Sequence, residues 1–338
     1  MRRFLESKAA SVEEAVERCL AERRDWIAKA KKRAYQEIRH LQELEVDNKH
    51  KVSLRSELYA SLLPHEVQET HCKAGKKSPL LGCVSFRQSM ASRSARSQMG
   101  GKCHEWKLNS KVRAVEFAQE LGLPVPKHFG TFAPGELSDV NHRVIKPYSG
   151  AGSKGVFLVG GSEGLDVFRA ESFPVEELSE RMAAIESKRW ISQELISSSP
   201  RDPRPARDLK FYCFYGRVAL VLEVERFPER RYCWWDGRGN SVCTGKYTNS
   251  VLDGAGFDAR ALRMAKKLSR SIPAPFCRVD LLKGHDRTVF GEITPRPGGF
   301  HEFDAETDFR LGKAFMQAEG RLQQDLLKGK SFHSMFHS

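Results

Sequence analysis

The sequence predicts an α+β protein in which amphipathic helices surround short antiparallel strands. Apolar residues recur at helical spacing near both ends of the chain. Between these ends, short runs of β-forming residues alternate with turns rich in Gly, Pro and Asn, a pattern typical of hairpins. Two of the runs flank the polar turn 283–287 and carry one acid each, Asp280 and Glu292. We expect this hairpin to bring both carboxylates to the same end of a sheet.

Two neighbouring carboxylates are costly unless a positive group neutralises them. A divalent metal that carries a polyphosphate is one solution. The alternative is a pair of edge-strand acids that face Lys283 and Arg287 without any ligand. The rest of the chain has to decide between these two interpretations.

Composition indicates a globular protein with room for two or three subdomains, since 338 residues are 40% hydrophobic and 29% charged. No apolar run approaches the ~20 residues of a membrane span. The first residues lack the apolar region of a signal peptide. The eight cysteines form no C-x-x-C pair, which favours free thiols and a cytoplasmic location.

The net charge of +13 predicts an anionic partner, which could be a nucleotide, an acidic glycan, a nucleic acid or a lipid surface. Much of the charge lies in residues 71–113, where the only acid is Glu105. This segment has few aromatic residues for base stacking, so nucleic acid is the less favoured partner. We interpret 71–107 as a basic linker or a substrate-binding segment.

The N-terminal segment 1–70 is predicted as a helical extension. Apolar residues between Val12 and Leu44 recur close to a 3.6-residue period, and Ser11 with Glu14 forms a capping box. The pattern favours a long amphipathic helix or hairpin over residues 8–60. A coiled coil is the alternative, and it would make the protein a homodimer through this helix.

From Lys111 onward the elements become regular. Gly216 marks the turn of a long hairpin, and Gly122 ends the first helix. The pattern predicts helices over 111–121, 174–187, 258–270 and 311–328, and strands over 143–147, 156–159, 189–196, 209–215, 217–224 and on both sides of the turn 283–287.

A glycine-rich loop follows the strand that contains Lys146. Its glycines permit positive φ and a close approach of backbone N–H groups to an anion. The loop is not a Walker motif and lies between two strands, so the dinucleotide fingerprint is excluded as well. Taken alone, it could be a plain hairpin turn. Its candidate anion-binding residues are Gly150, Gly152, Ser153 and Gly155.

The order of these signals is more specific than any one of them. Along the chain stand Lys111, Ile145-Lys146-Pro147 with the glycine-rich loop, Gln193-Glu194-Leu195-Ile196, Asp208-x-Lys210, Arg278-Val-Asp280 and Gly291-Glu292-Ile-Thr294-Pro-x-Pro-Gly-Gly. This series resembles the ATP-grasp superfamily. The stretch Arg207–Gly216, and Phe290–Phe300 with Asp308 and Leu311-Gly312, resembles its TupA-like branch, named for teichuronopeptide biosynthesis. The resemblance covers about residues 108–315.

The resemblance implies an ATP-grasp fold, in which two α+β subdomains grip ATP between antiparallel sheets, here with a helical N-terminal extension. Residues 108–196 would form the N-terminal subdomain with the glycine-rich loop. Residues 197–328 would form the C-terminal subdomain with the magnesium site, and 329–338 a flexible tail.

It also implies roles for individual residues. Lys111 and Lys146 would contact ATP phosphates, beneath the glycine-rich loop. Arg278 would stabilise the transferring phosphoryl group, Lys210 would add a further cation, and Arg296 would face the acceptor; these three form the predicted catalytic set. The adenine and ribose would lie against Gln193, Glu194, Leu195 and Ile196, and Mg²⁺ would be held by Asp280, Glu292 and Thr294. The family triad usually ends Glu-x-Asn, whereas this chain has Glu292-Ile-Thr294.

The function implied is an ATP-dependent, ADP-forming carboxylate–amine ligase that acts through an acyl phosphate. Its substrate could be an acidic cell-envelope polysaccharide or a precursor of one. The alternatives are an ATP-grasp kinase that phosphorylates a sugar or alcohol, and a basic scaffold protein that uses ATP structurally.

Overall fold

A computed structural model of the protein describes residues 2–43, 54, 58, 84–101, 103–136, 140–149, 153–199 and 202–336. The chain divides into two compact units, Met1–Ser85 and Phe86–Ser338. Gly150 and Gly152 of the predicted loop lie outside the described residues.

The first unit contains one long helix, α1, over Arg2–Glu43. This helix confirms the predicted long helix for the described part of residues 8–60. Ala34 and Ile38 are buried near its C-terminal end, against Tyr35 and Leu58. None of the described helices combines the length and apolar character that a membrane crossing requires. Self-association through α1 stays a prediction.

The second unit contains five further helices and thirteen strands within the described residues. The helices are α2 Phe86–Gln98, α3 Lys111–Glu120, α4 Leu178–Ala183, α5 Ala259–Arg270 and α6 Ala305–Leu327. The strands are β1 His128–Phe132, β2 Arg143–Pro147, β3 Phe157–Gly160, β4 Glu163–Asp166, β5 Glu171–Pro174, β6 Trp190–Glu194, β7 Ser197–Ser199, β8 Asp202–Pro205, β9 Arg207–Phe214, β10 Arg217–Glu225, β11 Arg231–Asp236, β12 Cys277–Lys283 and β13 Thr288–Thr294.

The strands form two larger antiparallel sheets. The N-terminal sheet has the order β1-β6-β2-β3-β4-β5, and the C-terminal sheet has the order β11-β10-β9-β12-β13. Strands β7 and β8 pair separately. The predicted α+β class and the predicted hairpins at Gly216 and at 283–287 are confirmed. Strands β1, β4, β5, β7 and β8 were not predicted, and the helix expected over 174–187 is confined to a 3₁₀ turn and the short α4.

The C-terminal sheet is covered by apolar residues on both faces, which explains its long β-rich runs. On one face, Leu209, Phe211, Val279 and Leu281 pack with α3 and α5. On the other face, the side chains that alternate with them pack with α2 and α6; they include Tyr212, Phe214, Leu220 and Phe276. Because residues along a strand alternate between faces, β9 and β12 contribute to both cores.

Where the structure describes the predicted linker 71–107 and the predicted flexible tail, it shows a helix over 86–98 and a packed residue at 336. Phe86 and Met90 of α2 are fully buried against the C-terminal sheet, so this part of the basic segment is packed structure. Its apolar positions were too few to predict a helix. In the tail, Phe336 is 4% exposed and its ring packs edge-on against Phe117.

Replacing Phe86 with Ala tests the place of α2 in the core. The ring of Phe86 lies 5.0–6.5 Å from the rings of Tyr212, Phe214, Phe276 and Phe303. We expect Phe86→Ala to lower the free energy of unfolding by about 3–5 kcal/mol, because the substitution leaves a cavity in a close-packed core. Urea denaturation measures this loss.

The control is Phe168→Ala, since Phe168 is 53% exposed. This variant should change the free energy of unfolding by less than about 1 kcal/mol. If Phe86→Ala lowered the free energy of unfolding as little as Phe168→Ala does, α2 would not belong to the stable core.

Candidate functional site

One face of the C-terminal sheet changes from apolar to charged along its strands. On β9, Phe214 and Tyr212 belong to the buried cluster, whereas Lys210 and Asp208 follow on the same face. On β12 the same change occurs from Phe276 through Arg278 and Asp280. Lys210, Asp280 and Glu292 occupy directly opposed positions on β9, β12 and β13. The register therefore places a cation and two acids side by side.

Asp280 is the centre of this group and is only 3% exposed. Its Oδ2 accepts a hydrogen bond from Lys210 Nζ at 2.5 Å and one from Arg278 Nη2 at 2.7 Å. Its Oδ1 accepts from Arg278 Nε at 2.7 Å. Burial alone would raise the pKa of Asp280, but Arg278 and Lys210 together hold it well below its ordinary value. The carboxylate is therefore charged at neutral pH.

Glu292 is less enclosed, with 47% of its side chain exposed and its Oε1 3.7 Å from Arg278 Nη2. Partial burial and the neighbouring Asp280 carboxylate raise its pKa. Burial also lowers the pKa of Lys111, and burial and Lys111 together lower the pKa of Lys146 to about 8; Glu292 opposes both shifts.

Lys111 Nζ donates to the carbonyl of Pro147 at 3.4 Å, so Lys111 and Lys146 both lie at the end of β2. We call the space between this end of β2 and the charged face of the C-terminal sheet the cleft. Among the described residues, neither lysine forms an ion pair with a carboxylate, which suits both to an anionic ligand.

Thr294 and Arg296 occupy different environments. Thr294 is opposite Arg278 in the strand register, and its Oγ1 accepts a hydrogen bond from Arg278 Nη2 at 3.0 Å. Its hydroxyl thus orients the arginine. Arg296 is exposed on the turn after β13, and its guanidinium carbon lies 5.3 Å from the centroid of the Phe300 ring. It does not join the Asp280 group.

The described end of the glycine-rich loop contacts the charged face. Ser153 has φ +66° and its Oγ accepts a hydrogen bond from Arg226 Nη1 at 2.7 Å. Arg226 also pairs with Asp208. Gly155 has φ +73°, and a Cβ there would lie 2.8 Å from Ile185 Cδ1. This position therefore requires glycine for both conformation and space.

The segment predicted to hold adenine, 193–196, spans the end of β6, and several of its groups already bind other parts of the protein. The N–H groups of Glu194 and Leu195 donate to the carbonyls of Lys127 and His142, at 2.9 and 3.2 Å. The Glu194 carboxylate pairs with Arg287. Gln193 and Ile196 are each 6% exposed. Glu194 thus serves the scaffold of this segment, and its side chain points to Arg287.

A sequence-family model described as TupA-like ATP-grasp matches residues 94–316, well over half of the chain. The chain belongs to the TupA-like ATP-grasp family. Membership confirms the predicted branch, the predicted fold class and the predicted class of enzyme, an ATP-dependent ligase. No protein of curated function matches the sequence significantly.

Solved structures similar to this TupA-like protein are ATP-grasp proteins with low sequence identity. The ATP-grasp ligase PsnB complexed with a precursor peptide and AMPPNP is 12% identical over 69% of this chain and 70% of that chain, with a TM-score of 0.41. D-alanine–D-alanine ligase from Bacillus anthracis complexed with ATP is 12% identical over 70% and 76%, with a TM-score of 0.41. D-cycloserine synthetase DcsG is 19% identical over 70% and 80%, with a TM-score of 0.40.

The structure of this ATP-grasp protein adds residues to the site that the sequence did not suggest. Arg226 follows directly after β10 and reaches both subdomains through Ser153 and Asp208. Tyr247 has φ +62° and stacks on Tyr232, with ring centroids 4.0 Å apart. A left-handed conformation at a bulky aromatic residue is costly and marks the position as special. The series of residues that predicted the site included Asp208, two positions before Lys210, but neither Arg226 nor Tyr247.

Asp280→Asn tests the charge balance of this face. The substitution would remove the carboxylate that neutralises Arg278 and Lys210, while both cations would stay beside the new amide. We expect the free energy of unfolding to fall by about 3–5 kcal/mol, the scale of breaking a buried ion pair. Urea denaturation at pH 7 measures the change.

Asp286→Asn is the matched control, because Asp286 lies in the same hairpin but has a side chain that is 52% exposed. We expect a change below about 1 kcal/mol there. If Asp280→Asn were equally mild, Asp280 would not be the group that balances the two cations.

Proposed function

We propose that this TupA-like protein is an ATP-dependent carboxylate–amine ligase that forms an amide through an acyl phosphate and releases ADP and phosphate. The observation that carries the proposal is the cleft itself. Arg278, Lys210 and two acids lie on the C-terminal sheet, and Lys111 and Lys146 face them with lowered pKa values. A triphosphate between the two sheets would neutralise these lysines.

The donor set fits Mg²⁺ on its chemistry, since carboxylate oxygens are the ligands this ion prefers. In the part of the chain that the structure describes, no three His, Cys, Asp or Glu side chains form a metal cluster. Mg²⁺ at ATP sites commonly uses one or two carboxylates together with phosphate oxygens. Glu292 would hold the ion with its partly exposed carboxylate. Asp280 would join it by exchanging its contact with Lys210, and Thr294 by releasing Arg278.

The chain's own residues would position and neutralise the reacting groups. Lys111 and Lys146 would hold the phosphates of ATP while an oxygen of the substrate carboxylate attacks the γ-phosphorus and the bond to ADP breaks. Arg278, held by Asp280 and Thr294, would neutralise charge on the transferring group. The amine then attacks the acyl carbon, phosphate leaves and the amine loses a proton. Bound Mg²⁺ would supply further neutralisation of phosphate charge.

We propose an acidic cell-envelope glycan, or a precursor of one, as the substrate class. Two observations support it: the branch to which the chain belongs and the net charge of +13. Arg296 lies on the turn directly after β13 and would border the acceptor. A cytoplasmic location also belongs to this proposal, because ATP and nucleotide-activated precursors are available there.

Product analysis tests the reaction. The protein is incubated with ATP, Mg²⁺ and panels of carboxylates and amines, and we expect equal amounts of ADP, inorganic phosphate and amide. Glu292→Gln should slow product formation by about two orders of magnitude, the scale of removing one electrostatic contact from a transition state. Glu229→Gln is the control, because Glu229 is exposed in the connection between β10 and β11.

A phosphoester without free phosphate would identify a kinase and contradict the ligase proposal. Turnover by Glu292→Gln at the wild-type rate would remove Glu292 from the site. Nucleotide binding without any product across broad panels would favour a structural role for ATP.

The pH dependence of ATP binding tests Lys146. Its pKa of about 8 means that the free protein loses this proton as the pH rises through 8. A bound triphosphate would raise the pKa, so binding above pH 8 should take up a proton. The affinity should then fall by up to about tenfold per pH unit. Calorimetry at pH 9, in two buffers of different ionisation enthalpy, measures the proton uptake.

The control is Lys146→Arg, which keeps the positive charge but stays protonated throughout this range. We expect it to lower the proton uptake and to flatten the dependence of affinity on pH. Unchanged uptake would show that Lys146 is not in contact with the phosphates.

A further inference from the structure

The turn that follows the metal hairpin is held from two sides by buried cations. This turn, residues 295–299, comes directly after Thr294 and contains Arg296. Arg93 donates to the carbonyl of Pro295, and Lys246 donates to the carbonyls of Gly298 and Gly299. A backbone carbonyl is neutral and does not balance a positive charge. Each of the two cations is balanced by an acid beside it.

Arg93 reaches the turn from α2, outside the residues that match the family. It is 6% exposed, and its Nη1 lies 3.2 Å from the Pro295 carbonyl oxygen. Its partner is Glu105, which is 5% exposed. A buried arginine–glutamate pair is a weak source of stability, so a function in geometry is the better explanation.

Lys246 holds the opposite end of the turn. Its side chain is 4% exposed, and Nζ lies 2.8 Å from the Gly299 oxygen and 3.4 Å from the Gly298 oxygen. Glu302 balances its charge at 3.2 Å. A Cβ at Gly299 would lie 2.3 Å from Nζ, and φ there is +60°. The glycine is therefore required for the lysine to approach the backbone.

We propose that Arg93 and Lys246 are positioning residues that fix the 295–299 turn, and through it the placement of Thr294 and Arg296. The catalytic consequence rests on the proposed ligase function. Thr294 orients Arg278, and Arg296 stands on the turn itself. A turn that moved by an ångström would misplace both arginines relative to the transferring group.

Lys246→Met tests the proposal in the full chain, while Glu302 remains solvated because 49% of its side chain is exposed. Exchange in the turn is measured at the Glu302 amide, which donates to the Gly299 carbonyl oxygen at 3.2 Å. Its hydrogen exchange should become about tenfold faster, the scale of losing a charge-assisted hydrogen bond. The kcat for ADP formation should fall by about tenfold, with the KM for ATP within about twofold of the wild-type value. Lys246→Arg, which can still donate to both carbonyls, should restore most of the loss.

The chain offers a matched control in Lys330. Its Nζ also donates to a backbone carbonyl, that of Arg270 at 2.7 Å, and lies beside an acid, Asp325, at 3.5 Å. It lies 4.9 Å from an aromatic centroid, that of Tyr215, as Lys246 does from Tyr247. We expect Lys330→Met to leave exchange in the 295–299 turn and kcat unchanged. If Lys330→Met lowered kcat and raised exchange in the turn as much as Lys246→Met does, Lys246 would have only a general structural role and the proposal would be overturned.

Arg93 needs a paired substitution, since Arg93→Met alone would leave Glu105 buried and unpaired. Arg93→Met with Glu105→Met removes both charges, and the melting temperature should stay within a few degrees of the wild-type value. We expect this variant to fold, to lose kcat about tenfold and to exchange faster at the Glu302 amide, which donates to the turn. A folded variant with wild-type kcat and exchange would overturn the part of the proposal that concerns Arg93.

The two readouts separate this proposal from the proposed function. If the wild-type protein makes no amide, the ligase proposal fails, and hydrogen exchange still decides whether the cations fix the turn. If the wild-type protein is active and Lys246→Met matches it in both exchange and kcat, the positioning proposal fails alone.

Discussion

The structure of the site depends on the neutralisation of one buried carboxylate. Asp280 is buried on β12, between β9 and β13 of a five-stranded sheet, and a charge there is tolerated only with cations in direct contact. Arg278 and Lys210 supply them from its own strand and from the neighbouring one. Both cations are thereby brought to one face with their orientation fixed. Thr294 completes the arrangement by accepting a hydrogen bond from the same arginine.

The charged group uses a sheet face that is apolar elsewhere. Along β9 and β12 the side chains on this face pass from Phe214 and Phe276 to Lys210 and Asp280. The helices α2 and α6 cover the apolar end of the face and leave the charged end for the cleft. The core that stabilises the sheet and the site that would bind ATP are thus two ends of the same surface. The register of β9, β12 and β13 is therefore critical, because a slip by one residue would turn charged side chains of the site toward the opposite, apolar face of the sheet.

The cations around the cleft fall into two groups with different partners. Lys210, Arg278 and Arg226 each have a carboxylate in contact, and their positions are fixed by it. Among the described residues, Lys111 and Lys146 have no such contact; burial lowers the pKa of both, and Glu292 offsets the shift only in part. The first group suits the positioning of a transition state, whereas the second suits the binding of phosphate. A ligand that carries several negative charges would complete the charge balance of the cleft.

The sequence by itself determined the hairpins, the major helices and the series of charged residues. The hairpins and helices depend on local propensity and on alternation along a strand. The series of charged residues resembles that of the ATP-grasp superfamily, and this resemblance implied one site for Lys210, Arg278, Asp280 and Glu292. Tertiary structure alone decided what each side chain contacts. Arg226 reaches Ser153 across two subdomains, and Arg93 reaches Pro295 over two hundred positions along the chain. The same holds for α2, whose sparse apolar residues signalled a linker until the sheet supplied their partners. Such contacts depend on burial and packing between distant segments, which a periodic pattern in the sequence does not encode.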